Sequence, residues 1–160
     1  MASNRHLGRI VAMQTLYELD FRTGLNEKNL DKQSVIKRNI DRYSEVVEDK
    51  DFITDIVNGV LDKQEELDKI IQPIAPDWPL DQIARIDRIV LRIGVYELHH
   101  GSGVPDKVII NEAVELAKGF GADNSSKFVN GVLGTALKQL KGEDVKESKK
   151  STDTKKKANK

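Results

Sequence analysis

The stretch 105–140, PDKVIINEAVELAKGFGADNSSKFVNGVLGTALKQL, contains two amphipathic helical patterns joined by a short glycine-rich turn. At 100° per residue the first pattern places one apolar face along Ile110, Ala113, Leu116, Ala117 and Phe120. The second has its apolar face along Phe128, Val129, Val132, Leu133, Ala136 and Leu140. Between them, Gly119 and Gly121 can end a helix, and Asp123, Asn124 and Ser125 can cap the next one. The stretch therefore predicts two consecutive helices, each with one buried side.

The rest of the chain also follows helical periodicity, and no stretch alternates like a strand between hairpin turns. Further helices are predicted over about 3–22, 34–47, 51–71 and 80–99, with Ser34 as the cap of the second and the last one central because it is apolar on most sides. Pro73, Pro76 and Pro79 interrupt the chain around Trp78. We therefore predict an all-α fold, a compact bundle of about six or seven helices in two small helical subdomains. These form one domain, 1–140, with an N-terminal half of about 3–72 and a C-terminal half of about 80–140.

Length and composition set limits on the class of protein. The 160 residues suffice for one domain. Cysteine is absent, which excludes disulfides and thiolate metal sites and fits a reducing compartment. The sequence contains neither a signal-peptide pattern nor an apolar run long enough to span a bilayer. A cytoplasmic protein without a membrane segment is expected.

Charge is distributed unevenly along the chain. Residues 141–160 hold eight lysines against four acidic residues, so the body 1–140 has a net charge of −4 although the whole chain has none. The tail has almost no apolar residue to bury and is predicted to be disordered. It either keeps the protein in solution or attracts phosphate without sequence preference. A nucleic-acid site on the acidic body must be a local basic patch.

Several polar side chains are candidates for binding RNA, which needs cations for phosphate and surfaces that stack on unpaired bases. Arg5 and Arg9 lie within about 40° of each other on the first helix and are expected to be exposed as a phosphate clamp. Phe128 is either a core residue or a base platform, and Asn130 and Gly131 either contact RNA or only pack against a helix. The candidates are Arg5, His6, Arg9, Lys107, Asn124, Lys127, Phe128 and Asn130.

A charged stripe on the helix over 80–99 is a second candidate surface. Asp81, Arg85, Arg88 and Arg92 fall within a sector of about 60°. The stripe is either a solvated face or a docking site for a partner protein, because arginine is favoured at interfaces.

Catalysis finds little support in the sequence. His99 and His100 are neighbours and cannot face one metal as an i,i+4 pair does, and His6 stands apart from them. No nucleophile and base combination stands out. No catalytic residue, metal or cofactor is predicted.

Several linked motifs resemble the NusB family of RNA-binding antitermination factors. They are INEAVELAK at 110–118, FG at 120–121 and KFVNGVL at 127–133, preceded by MQTLYELD at 13–20, IVLRIGVYEL at 89–98 and VPDKV at 104–108. The similarity covers about 3–140 in family order. It departs at the N-terminus, where the family often has a denser arginine cluster than Arg5 and Arg9.

The resemblance implies a noncatalytic factor that binds boxA RNA of nascent ribosomal transcripts with NusE, a protein of the small ribosomal subunit. Together with other Nus factors it would help RNA polymerase resist termination. It implies Asp81 and Asp87 as candidate contacts to NusE, beside Arg85, Arg88 and Arg92, and it allows a homodimer. Two alternatives stay open. NusB-like domains also precede some RNA cytosine methyltransferases, although no glycine-rich turn for S-adenosylmethionine follows here, and the chain could be a self-associating helical module.

Overall fold

The structure is a computed structural model that describes residues 2–75, 79–101 and 103–142, with side chains from residue 4 onward. Its seven α-helices are α1 (Ala2–Gly24), α2 (Lys32–Arg42), α3 (Lys50–Asp62), α4 (Gln64–Ile74), α5 (Arg85–His100), α6 (Asp106–Phe120) and α7 (Ser125–Lys141). A short 3₁₀ helix, Leu80–Gln82, precedes α5. No strand occurs within these ranges, which confirms the predicted all-α fold.

Helix α5 is the centre of the bundle. Every residue from Ile89 to Leu98 is buried, and α5 packs against α1, α3, α4, α6 and α7. Two of these contacts are close because a glycine faces a large side chain. A Cβ on Gly59 of α3 would lie 2.1 Å from Cζ of Tyr96, and one on Gly94 would lie 2.7 Å from Cδ1 of Leu133 in α7. The absence of a Cβ at these two positions therefore sets the spacing of the helices around α5.

Four details of the helix predictions are wrong. The helix predicted over 51–71 is broken at Lys63, whose ψ of 13° separates α3 from α4. The helix predicted from residue 80 begins only at Arg85. Asp31, and not Ser34, caps α2, since its Oδ1 accepts a hydrogen bond of 3.3 Å from the amide of Ser34; that helix ends at residue 42, before the predicted 47. Helical periodicity continues across such breaks, so it does not reveal them.

Two residues assigned to apolar faces lie at helix ends and are exposed. Phe120, in the last turn of α6, is 42% exposed, and Leu140 of α7 is 43% exposed. The apolar faces of α6 and α7 are therefore buried from their first turns onward but not at their C-terminal ends.

Buried apolar side chains from both sides of the proline segment belong to one continuous core. The boundary near Trp78 stays a prediction, because 76–78 lie outside the described residues. The disordered tail predicted for 141–160 also lies outside them from residue 143 onward, whereas Lys141 belongs to α7. Among the described helices, none is long and apolar enough to cross a membrane.

Candidate nucleic-acid and partner interface

Arg5 is exposed near the start of α1, as the sequence predicts. Its guanidinium carbon lies 4.9 Å from the centre of the Phe52 ring, at the start of α3. Within the described ranges no carboxylate forms an ion pair with Arg5. Its N–H donors are therefore available to a phosphate.

The expectation that Arg9 is exposed is wrong. Arg9 is only 2% exposed, and its Nε and Nη2 donate hydrogen bonds of 3.0 and 2.8 Å to the carboxylate of Glu97 in α5. The angular position of Arg9 is close to that of Arg5, but Arg9 lies one turn further along α1, beside Glu97 of α5. Arg9 therefore joins two helices and does not present its charge to solvent.

Two more side chains, His6 and Asn4, hold the first turns of α1. Nδ1 of His6 lies 2.6 Å from Oε2 of Glu112 in α6. The side-chain amide of Asn4 makes two hydrogen bonds of 3.1 Å to the segment before α3. Its Nδ2 donates to the carbonyl of Val46, and its Oδ1 accepts from the backbone amide of Glu48. The N-terminus of α1 is thereby fixed against both α6 and the start of α3.

The other RNA candidates lie near the starts of α6 and α7. Lys107, Asn124, Lys127 and Asn130 are all exposed. Phe128 is partly buried and packs against the core. It is therefore neither a fully buried core residue nor a fully exposed base platform. Asn124 makes no capping hydrogen bond. Instead, the buried Ser125 turns its Oγ back to accept a 2.9 Å bond from the amide of Ala122.

A cleft of about 410 Å³ brings together candidates for RNA and for the partner. It is lined by Gln82, Ile83, Ala84, Asp87, Ala122, Asn124, Ser125 and Phe128. Asp87 is only 9% exposed, and its Oδ1 has no hydrogen-bond partner among the described residues. Because a buried acceptor without a donor is costly, a donor from a bound partner would stabilise this carboxylate.

The charged stripe of α5 is mostly an internal network, so neither alternative offered for it holds for the whole stripe. Nε of Arg85 and Nη2 of Arg88 lie 2.7 and 3.1 Å from Asp20 of α1. Nε of Arg92 lies 2.8 Å from Asp68 of α4, and this arginine is only 6% exposed. Arg92 is thus a buried link between helices.

Asp81 and Arg85 differ from the rest of the stripe. Asp81 is exposed, but it lies in the 3₁₀ helix and not in α5, so the shared helical phase predicted for it is wrong. Arg85 of α5 contacts α1 but remains partly exposed. Its guanidinium carbon lies 5.5 Å from the centre of the Tyr17 ring and 5.2 Å from the centre of the Phe21 ring. The hydrogen bond to Asp20 raises the pKa of Arg85, so this group keeps its charge.

Sequence reasoning missed the acidic partners of these arginines, Asp20, Asp68 and Glu97, and the ring of Phe52. A signal existed for Glu97, because it stands within the apolar run of α5 as Arg92 does. A charged residue on such a helix needs a buried counter-charge. The identity of that partner depends on how the helices pack, which the sequence pattern does not give.

Comparisons with known proteins agree with this architecture. The model of the NusB family matches residues 6–138. The transcription antitermination protein NusB of Herpetosiphon aurantiacus is 42% identical over 147 residues, which cover 90% of this chain and 97% of that protein. The structure of T. maritima NusB has a TM-score of 0.74 at 29% identity and covers 84% of this chain and 90% of its own.

A further structural neighbour is found in a crystal structure of the antitermination factors NusB and NusE with double-stranded RNA. It has a TM-score of 0.73 at 24% identity, and the match covers 87% of this chain and 99% of that one. This likeness extends the agreement in fold. The family match spans most of the chain and nearly all of the described bundle, so the chain belongs to the NusB family.

Proposed function

We propose that this chain is a noncatalytic, cytoplasmic transcription antitermination factor that binds boxA RNA together with NusE. With other Nus factors it would support processive elongation by RNA polymerase on nascent ribosomal transcripts. The observation that carries the proposal is the family match over residues 6–138, which includes the partner surface and every RNA candidate except Arg5. Neither the RNA site nor the partner surface calls for a metal or an organic cofactor.

The RNA site in this proposal combines exposed cations with one partly accessible ring. Arg5, Lys107 and Lys127 are exposed and supply positive charge on an otherwise acidic body. His6, Asn124 and Asn130 add hydrogen-bonding groups, and Phe128 offers a ring edge at the cleft. Arg9 does not contact RNA in this proposal, because its N–H donors bind Glu97; it stabilises the helix that carries Arg5.

The partner surface in this proposal centres on the cleft beside Asp87. The unpartnered Oδ1 of Asp87 would accept a hydrogen bond from a donor of NusE, and exposed Asp81 would attract a basic side chain. The exposed part of the Arg85 guanidinium would also contact NusE. Arg88 and Arg92 would not, because they form ion pairs with Asp20 and Asp68 between the helices. A homodimer stays a prediction.

The direct test titrates boxA RNA and a scrambled RNA of equal length with this protein, with NusE, and with both. We expect the two proteins together to retain boxA better than either alone and better than the scrambled RNA. Equal retention of the two RNAs in all three titrations would contradict the proposal. A methyl-transfer assay on the same RNA addresses the enzymatic alternative.

The partner surface has its own test. Asp87→Asn keeps the shape of the side chain and removes its charge, and Asp81→Lys reverses an exposed charge. Both should weaken association with NusE more than they weaken RNA binding by the isolated protein. Asp41→Asn is the control, because Asp41 is an exposed acidic residue of α2, which contributes no residue to the lining of the cleft. Unchanged NusE affinity for both variants would exclude this surface.

A further inference from the structure

The ring of Phe52 lies between two arginines of α1. The guanidinium carbons of Arg5 and Arg9 are 4.9 and 5.0 Å from the ring centre. The ring also packs on the backbone of α1 at Gly8, between the two arginines, because a Cβ there would lie 3.2 Å from Cδ1 of Phe52. Phe52 thus fills the space beside the turn that connects the two arginines.

The two arginines make different use of this ring. Arg9 is buried, and its donors are directed at Glu97. Arg5 is exposed and has the ring as its contact. Stacking engages the face of a guanidinium and leaves the N–H donors at its edge free to bind phosphate in a planar, two-pronged manner.

The backbone that carries the ring is held in place by polar contacts. Asp49 caps α3, since its Oδ1 accepts a 3.0 Å hydrogen bond from the amide of Phe52. The adjacent residue Glu48 is tied to α1 through Asn4, the neighbour of Arg5. The start of α3 is therefore attached to the same turn of α1 that carries Arg5.

We propose that Phe52 is a positioning residue that holds the guanidinium of Arg5 in the orientation that binds RNA phosphate. The inference rests on the proposed function, because it assumes that Arg5 contacts RNA. It adds Phe52, which none of the sequence motifs singles out, to the residues that act in RNA binding. A long, flexible arginine loses side-chain entropy when it binds, and prior ordering on the ring lowers that cost.

The test is a double-mutant cycle on the affinity for boxA RNA. Phe52→Leu keeps an apolar side chain but removes the ring, and it should weaken binding about two- to fivefold, the range of an exposed cation–π contact. Phe52→Tyr keeps the ring and should bind like the wild type. In an Arg5→Ala background, Phe52→Leu should have no further effect. For Arg5→Ala, the slope of log affinity against log salt should be smaller in magnitude than that of the wild type by about 0.7. The slope for Phe52→Leu should lie between those of the wild type and Arg5→Ala.

Phe21→Leu is the matched control. Phe21 is also a partly exposed phenylalanine of the bundle whose ring lies against an arginine, Arg85. Its replacement should leave RNA binding by the isolated protein unchanged. Phe52→Met serves as the second variant if Phe52→Leu lowers the melting temperature below that of the assay.

The outcomes separate the two proposals. If the wild type binds boxA no better than scrambled RNA, both alone and with NusE, the proposed function fails and this inference fails with it. If the wild type binds boxA but Arg5→Ala has no effect, only the positioning role is overturned. A loss from Phe52→Leu that persists without Arg5 would overturn it as well, since the ring itself would then contact RNA. An equal loss in Phe21→Leu would do the same.

Discussion

Replacing Arg9 with leucine should destabilise the fold strongly, because it leaves a carboxylate buried without its counter-charge. Arg9 and Glu97 are 2% and 5% exposed, and three hydrogen bonds of 2.8 to 3.2 Å join them. Removing one member of such a pair typically costs about 3 to 5 kcal/mol. For a chain of this size we expect the melting temperature to fall by about 10 °C or more.

The paired replacement distinguishes an unpaired charge from simple loss of packing. Arg9→Leu with Glu97→Leu removes both charges, and apolar pairs of similar volume are often neutral or stabilising in place of a buried ion pair. The double variant should therefore recover most of the free energy of unfolding lost by Arg9→Leu. Urea unfolding followed by circular dichroism measures all three proteins.

Arg22 provides a control on the same helix. Its Nη2 lies 2.6 Å from Oε1 of Glu27, but both side chains are partly solvent-exposed. Arg22→Leu should therefore cause only a small fraction of the loss seen with Arg9→Leu, because water can solvate the remaining carboxylate. If Arg9→Leu lost less than about 1 kcal/mol, or no more than Arg22→Leu, the argument from the buried pair would be refuted.

Three further predictions concern helix packing, pH and the cleft. Gly59→Ala should lower the free energy of unfolding by about 1 to 3 kcal/mol, because its Cβ would lie 2.1 Å from the Tyr96 ring. Gly131→Ala should raise the free energy of unfolding by up to about 1 kcal/mol, because a Cβ at Gly131 would have no atom within 4 Å. If urea unfolding showed that the two variants change this free energy in the same direction, the prediction would be wrong. Burial lowers the pKa of His99 below 6.5, so the unfolded chain takes up a proton that the folded chain does not, and stability should fall as the pH drops below 6.5. The urea midpoint of His99→Asn should vary less between pH 7 and 5 than that of the wild type; an equal dependence would contradict this assignment. Phe128→Ala should cost about 2 kcal/mol, less than the 3 to 5 of a fully buried ring, and a melting temperature equal to that of the wild type would show that the ring does not pack on the core.

The central helix could be predicted from sequence because apolar residues occupy most of its circumference. The same pattern placed Arg85, Arg88 and Arg92 on one sector, and the structure confirms that they share a region near Asp20. It did not reveal whether that sector faces water or another helix. Periodicity gives the angle of a side chain about its own axis, whereas burial depends on where the neighbouring helices lie.

The first helix shows the same limit more sharply. Arg5 and Arg9 have nearly the same angular position, yet one is exposed and the other buried. The difference arises along the helix axis, because Arg9 lies beside Glu97 of α5, whereas Arg5 reaches only the Phe52 ring at the start of α3. No property of α1 alone contains that information, so the phosphate clamp predicted from two arginines is reduced to Arg5 with a ring behind it.

Helix α5 supports both proposed surfaces. Glu97 holds Arg9 beside the ring that contacts Arg5, and Asp87, ten residues earlier, lies at the partner cleft. A rise of 1.5 Å per residue puts these two positions about 15 Å apart along one continuous helix. The contact that holds Arg9 beside the Phe52 ring and the cleft beside Asp87 are thus kept at a fixed separation by one helix.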